Sequence, residues 1–273
     1  MGESGFLPVA GGSIHYEVEG DGHPLLLIHG GLGDLRMWDL QVPAFAERYQ
    51  VIRYDTRGFG RTETDDVEYL DAEDALAVLD HVGAASSHVI GQSRGGSIAL
   101  DVVLTHPERV DGFVSVAGGV GGYEAEGIDG PPLDEMERLW EANDWDRLAE
   151  METQVWVDGW GQPPTRVDPE LRRLVHGWIL ADLRADKPWG KPGSIDPPAA
   201  QRLGRVDVPT LVMIGEVDEA RGVAAGRHLA ASVPGARLEG FAGVAHMIQL
   251  EEPERFTQLV LDFLGNIDRA RDG

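Results

Sequence analysis

The spacing of apolar positions changes along this chain, and each change marks an element. Residues 6–20 alternate apolar and polar around Gly11-Gly12, with Ser13 to Glu19 in period two, the pattern of an N-terminal hairpin on a sheet edge. Pro24-Leu25-Leu26-Leu27-Ile28 is a continuous apolar run too short for a helix, which predicts a strand buried on both faces. A glycine-rich loop, His29-Gly30-Gly31-Leu32-Gly33, follows it. Next come an expected helix over 35–48, a strand over 50–54, a tight polar loop over 55–62, and a helix over 67–82 stopped at Gly83. The apolar run ending His88-Val89-Ile90 turns sharply into a helical pattern that runs to Pro107, and 111–117 reads as another strand. Strands alternating with amphipathic helices give a parallel sheet covered on both faces, an α/β fold.

The rhythm breaks over 121–199. Helical segments at 134–140 and 170–183 lie there, and so do six of the seven tryptophans: Trp140, Trp145, Trp156, Trp160, Trp178 and Trp189. This segment reads as a helical cap inserted into a core formed by 1–120 and 200–273. The strand-and-helix pattern then resumes with strands at 208–215 and 236–241, a helix at 220–231 and a last helix opened by Pro253.

Composition narrows the function classes. A chain of 273 residues can bury one large α/β core without a second independent domain. It has no cysteine, which excludes disulfides, thiolate catalysis and cysteine-ligated metals. A net charge of −24 repels a phosphate backbone, so no nucleic-acid partner is expected. No basic-then-apolar leader pattern opens the sequence and no apolar run is long enough for a membrane helix, so a soluble cytoplasmic protein is expected. Homo-oligomerisation stays open. No pair of histidines sits at i, i+4 and no carboxylate–histidine cluster recurs at ligand spacing, so no metal or other cofactor is expected.

The chemistry centres on Gly91-Gln92-Ser93-Arg94-Gly95. A serine in a sharp strand-to-helix turn needs glycines two residues either side, and it is presented at a helix N-terminus. There the Arg94 N–H has no helical partner, so it and the helix dipole favour an oxyanion formed by attack of Ser93. The bland alternative for Ser93 is a helix N-cap. Acyl transfer also needs a base and an acid that orients it, and in a sheet of this class they come in chain order serine, then Asp or Glu, then His, each on a loop after a strand. Gly215-Glu216-Val217-Asp218 offers the acid, with Glu216 or Asp218 as the carboxylate and N-capping as the alternative use of Asp218. Gly243-Val244-Ala245-His246-Met247 offers the base.

With these residues in place the chain resembles the α/β-hydrolase superfamily over nearly its whole length. Three motifs carry the likeness: the His29-Gly30-Gly31 loop, Asp55-Thr56-Arg57-Gly58-Phe59-Gly60-Arg61-Thr62, and the Gly91–Gly95 elbow. The resemblance implies an eight-stranded mostly parallel sheet with a cap after strand six, Ser93 as nucleophile, Asp218 as acid, His246 as base, and the N–H groups of Gly31 and Arg94 as oxyanion hole. Among the branches it is most similar to 3-oxoadipate enol-lactonase-like small esterases and lactonases. That likeness implies a small ester or lactone as substrate. A carbon–carbon bond hydrolase of a ring-fission diketone and a cofactor-free perhydrolase are the enzyme alternatives, and a slow ligand-binding receptor is the non-enzyme one.

The remaining residues are expected to play supporting parts. His29 braces the glycine loop, and Asp55, Arg57 and Thr62 tie their own loop together through hydrogen bonds and a salt bridge. One or two cap tryptophans should face the pocket, where rigid rings bury apolar substrate surface. Arg94 stands where the lactonase-like enzymes often carry methionine. Between Gly121 and Ala200 lie seventeen Asp and Glu against eight Lys and Arg, so an anionic substrate would need a cation inside. The Arg94 side chain either supplies it or, as the favoured reading, points into a salt bridge near the elbow.

Overall fold

The computed structural model describes residues 2–131, 133–185 and 187–272. Two hairpin strands, β1 (Glu3–Val9) and β2 (Gly12–Glu19), pair antiparallel from Val9↔Gly12 outward. Then come β3 (His23–Ile28), a one-turn α1 (Val42–Phe45), β4 (Tyr49–Tyr54), and two short strands, β5 (Glu63–Thr64) and β6 (Glu68–Tyr69). Helix α2 (Asp71–His81) leads to β7 (Ser87–Gln92), α3 (Arg94–Thr105) and β8 (Val110–Val116). After β8 stand α4 (Leu133–Glu141), α5 (Trp145–Glu152), a π-helical turn (Thr153–Gly159), α6 (Pro169–Arg184) and the two-residue β9 (Lys191–Pro192). The chain closes with β10 (Thr210–Gly215), α7 (Ala220–Ser232), β11 (Arg237–Phe241), α8 (Ile248–Glu251) and α9 (Pro253–Asp272).

The main sheet runs β1-β2-β4-β3-β7-β8-β10-β11, with β5 paired to β2 off this path. The hairpin and its junction with β4 are antiparallel, and every pairing from β4 through β11 is parallel. This is the α/β-hydrolase arrangement, with eight strands in the path and a short ninth beside it. The apolar run of β3 shows why both faces are covered. Leu26 and Ile28 pack with Val89, Ile98 and Val212 on one side, whereas Leu25 and Leu27 pack with Ile90, Val114 and Met213 on the other. A period of two along a strand flanked on both faces by helices requires apolar residues at every position.

Two helix expectations need correction. The stretch 35–48 is not one helix: a 3₁₀ turn, Leu35–Trp38, is followed by the single turn α1 with Pro43 in its first positions. Proline lacks the N–H that would bond back to residue 39 and its ring opposes helix in the residue before it, so a continuous helix cannot pass. The expected helix over 67–82 begins only at Asp71. Ahead of it Glu68 and Tyr69 pair with Lys191 and Pro192, Leu70 is extended, and Asp71, Glu73 and Asp74 supply the acidic first turn that suits a helix N-terminus.

Among the described residues, no helix is long and apolar enough to cross a membrane, and no group of three or more metal-ligating side chains gathers at one place.

Candidate active site

Parallel strands place their following loops on one edge of the sheet, and ligand sites of open α/β sheets form there. The loops after β3, β7, β10 and β11 carry Gly31, Ser93, Asp218 and His246. The elbow after β7 is the most constrained. Ser93 sits at φ 54°, ψ −118°, a backbone region a non-glycine residue occupies at a cost of about 1–3 kcal/mol. Its neighbours explain how the turn closes. A Cβ on Gly91 would stand 2.1 Å from the Gly95 carbonyl oxygen, and one on Gly95 would stand 2.3 Å from that of Ile28. The start of α3 therefore lies against the end of β3 and the head of the glycine loop, the same Cβ on Gly95 standing 2.6 Å from the His29 carbonyl oxygen.

Hydrogen bonds bear on the alternative uses of the candidate residues. Ser93 precedes α3 yet its hydroxyl makes no capping bond to that helix. Asp218 does not cap α7 either, because Glu219 does, accepting the Gly222 N–H at 2.9 Å. Asp218 is buried and Glu216 is exposed. The Asp218 carboxylate accepts the Glu219 N–H at 2.7 Å through one oxygen and bonds His246 Nδ1 at 2.7 Å through the other. A carboxylate on Nδ1 fixes the tautomer with its proton there, so that a neutral imidazole carries its lone pair on Nε2.

Ser93 and His246 line one cavity of about 160 Å³ together with Arg94, Ser97, Trp156 and Glu219. Of the histidines, His246 alone lines it. His15, His23 and His88 are paired with Asp55, Asp111 and Asp268, and His81 bonds the Tyr16 hydroxyl. His29 accepts the Thr56 N–H on Nε2 at 2.9 Å and bonds the Gly30 carbonyl through Nδ1 at 2.7 Å, so it is a neutral brace under the glycine loop. Burial lowers its pKa and keeps it so.

The polar loop after β4 is tied to itself by hydrogen bonds, as expected, and also to other segments. Asp55 accepts the Leu35 and Arg61 N–H groups at 2.9 and 2.8 Å, while Thr62 Oγ1 donates to the Asp55 carbonyl at 2.6 Å. The expected salt bridge within the loop is absent among its named residues: Arg57 reaches Asp74 of α2, with Nε 2.6 Å from Oδ2. Arg94 follows the structural reading. Its Nη2 donates to both Asp71 carboxylate oxygens at 2.8 and 2.9 Å, and Nη1 donates to Thr56 Oγ1 at 2.7 Å.

Of the tryptophans within 121–199, Trp156 reaches the cavity, its ring centroid 4.8 Å from that of His246. It comes from the π-helical turn, a geometry that often marks functional positions and that no periodicity in the sequence announces. Trp178 and Trp189 instead pack on Gly33 and on Gly58–Phe59. Gln92 was also missed. Buried beside Ser93, it donates from Nε2 to the His246 carbonyl at 3.1 Å and ties the elbow to the histidine loop. Its place inside the elbow was visible in the sequence, but its partner lies 154 residues away.

Residues 23–253 match the alpha/beta hydrolase fold family. A 2-hydroxymuconate semialdehyde hydrolase of Pseudomonas sp. (strain CF600) is 31% identical over 270 residues, covering 92% of this chain and 90% of that protein. A solved structure described as Est816, an N-acyl homoserine lactone degrading enzyme, superposes with a TM-score of 0.75 at 27% identity, covering 95% of this chain and all of that one. The enol-lactonase from Burkholderia xenovorans LB400 has a TM-score of 0.74 over 96% of this chain and 100% of its own, at 24% identity, a likeness of fold.

Proposed function

The chain belongs to the α/β-hydrolase fold family, and on that premise we propose that it is a cofactor-independent serine hydrolase of a small carboxylic ester or lactone. The observation that carries this reading is the Asp218–His246 pair facing, across one small cavity, a serine held in a strained turn at a helix N-terminus. Ser93 Oγ attacks the carbonyl carbon while His246 Nε2 takes its proton. Asp218 holds the imidazole by Nδ1 and stabilises its positive charge. The N–H groups of Arg94 and Gly31 receive the oxyanion. His246 then protonates the leaving oxygen, and water repeats the sequence to release the acyl group and restore Ser93.

The segment 121–199 acts as a cap over a core of 1–120 and 200–273, with Trp156 as the ring it places against the reacting groups. Cavity size bears on the acyl group. A cavity of about 150 Å³ takes a molecule the size of benzene, so about 160 Å³ suits a short or single-ring acyl group. With the Arg94 guanidinium bonded to Asp71 and Thr56, that acyl group is expected to be uncharged near the nucleophile.

A second reading is hydrolysis of a carbon–carbon bond, and the 31% identity to a 2-hydroxymuconate semialdehyde hydrolase favours it. It would use the same three side chains. A fluorophosphonate probe should label the native protein at Ser93 and leave Ser93→Ala unlabelled. Turnover of graded p-nitrophenyl esters, lactones and a ring-fission diketone then separates the readings. Turnover of the diketone alone would replace the ester assignment, and a folded protein that neither labels nor turns over any of them would point to a binding role.

A further inference from the structure

Two side chains outside the cavity converge on the loop that delivers His246. Arg166 lies between the π-turn and α6, and Glu251 ends α8; their side chains are 12% and 8% exposed. They meet as a two-point fork, with Nη1 donating to Glu251 Oε2 at 2.5 Å and Nη2 to Oε1 at 3.0 Å. The other three donors of the guanidinium go to carbonyls: Nε to Asp158 at 2.5 Å, Nη2 to Val157 at 2.5 Å and Nη1 to Gly243 at 2.7 Å. All five N–H groups that an arginine owns are thereby used. Glu251 Oε1 in turn accepts the Ala245 N–H at 3.0 Å.

These partners belong to two strips of chain. Val157 and Asp158 end the π-turn that carries Trp156, where helical carbonyls lack partners of their own. Gly243 and Ala245 lead directly into His246. The strips also touch without the arginine. The His246 N–H reaches the Trp156 carbonyl at 3.3 Å, and a Cβ on Gly159, at φ +90°, would stand 2.6 Å from the Val217 carbonyl oxygen in the loop of Asp218. Those contacts are one weak hydrogen bond and one close approach, so the fork is the strongest polar link between the cap turn and the histidine loop.

We propose that Arg166 and Glu251 are positioning residues that clamp the π-turn to the His246 loop, holding the imidazole between the Asp218 carboxylate and the Trp156 ring with Nε2 directed at Ser93. The proposal rests on the serine-hydrolase reading. A displacement of the base by about 1 Å costs about 10²-fold in rate, so the clamp is read in chemistry more sharply than in binding. A pair that only stabilised the fold would lower the melting temperature and leave each folded molecule as reactive as before.

The test measures the rate constant for fluorophosphonate labelling of Ser93 per folded molecule, with kcat and KM on a neutral ester, in the native protein, Arg166→Lys and Glu251→Gln. Lysine keeps the charge that compensates Glu251 but presents its donors from one point, so it cannot span the three carbonyls and both carboxylate oxygens. Arg166→Lys therefore carries the measurement if Glu251→Gln does not fold. Labelling and kcat should each fall about 10²-fold with KM within about threefold of native. Native labelling rates per folded molecule in the variants would overturn the clamp and leave the role of Ser93 standing. A native protein that does not label at all would instead overturn the hydrolase reading beneath it.

Discussion

Arg94→Met separates the structural role of this side chain from a role in holding substrate. Methionine keeps the N–H and much of the stem and removes the guanidinium, leaving Asp71 without the Nη2 group that donates to both its oxygens. The Asp71 carboxyl is already pushed up, by burial first, with Arg94 pulling it down and Asp74 pushing it further up. Loss of Arg94 removes the opposing pull and leaves a poorly solvated carboxylate beside Asp74. Breaking a fully buried pair costs about 3–5 kcal/mol and an exposed one about 0.2–1 kcal/mol. With side chains 28% and 17% exposed, the Arg94–Asp71 pair falls between, at about 2 kcal/mol after solvent screening. In a chain of this size that is a fall of about 4–8 °C in melting temperature, extrapolating the scale for domains slightly smaller. Asp71→Asn in the same background should recover most of it, because the stranded charge is then gone. Thermal unfolding near neutral pH measures both variants, while kcat/KM for a neutral ester and for a carboxylate-bearing lactone should change together. If the lactone alone lost about 10-fold or more and the melting temperature held, the guanidinium would be a substrate contact and the reasoning would fail.

Three further outcomes are expected. Asp218→Asn should lower kcat by about 10⁴-fold by leaving the imidazole in the wrong tautomer, whereas Glu216→Gln, on the surface, should change it little; the reverse ranking would move the acid to Glu216. Burial without a charged partner raises Glu152 from 4.5 to about 7. The folded chain thus holds a proton that the unfolded chain releases between those values, so stability falls as pH rises through that window and levels above it, by an upper limit of about 3 kcal/mol. Glu152→Gln should therefore melt higher than native at about pH 8 and alike at about pH 4, and equal melting curves at both would show that the carboxyl is solvated. Gly159→Ala should slow turnover with little change in KM, because its Cβ would press on the Val217 carbonyl and displace the Asp218 loop; kinetics indistinguishable from native would show that the loop yields.

The amino-acid sequence by itself determined what depends on local geometry and on chain order. The two-faced strand at Leu25–Ile28, the elbow that only Gly91 and Gly95 allow, and the succession of Ser93, Asp218 and His246 on loops of one sheet edge were legible because strand period, turn chemistry and parallel topology each act over short windows. Even the break within 35–48 was written in Pro43, though the apolar spacing around it reads as a helix. Tertiary structure alone decided which distant groups meet. Glu216 and Asp218 are two residues apart on one strip of chain, and the packing of the His246 loop selects the carboxylate that touches the ring. Arg94 takes Asp71, Arg57 takes Asp74 and Arg166 takes Glu251 because helices α2 and α8 are folded against them, and a charged side chain has no preferred partner until burial removes the competition from water. The π-turn that puts Trp156 on His246 likewise follows from the seat of the helical segment on the core rather than from any period in its residues.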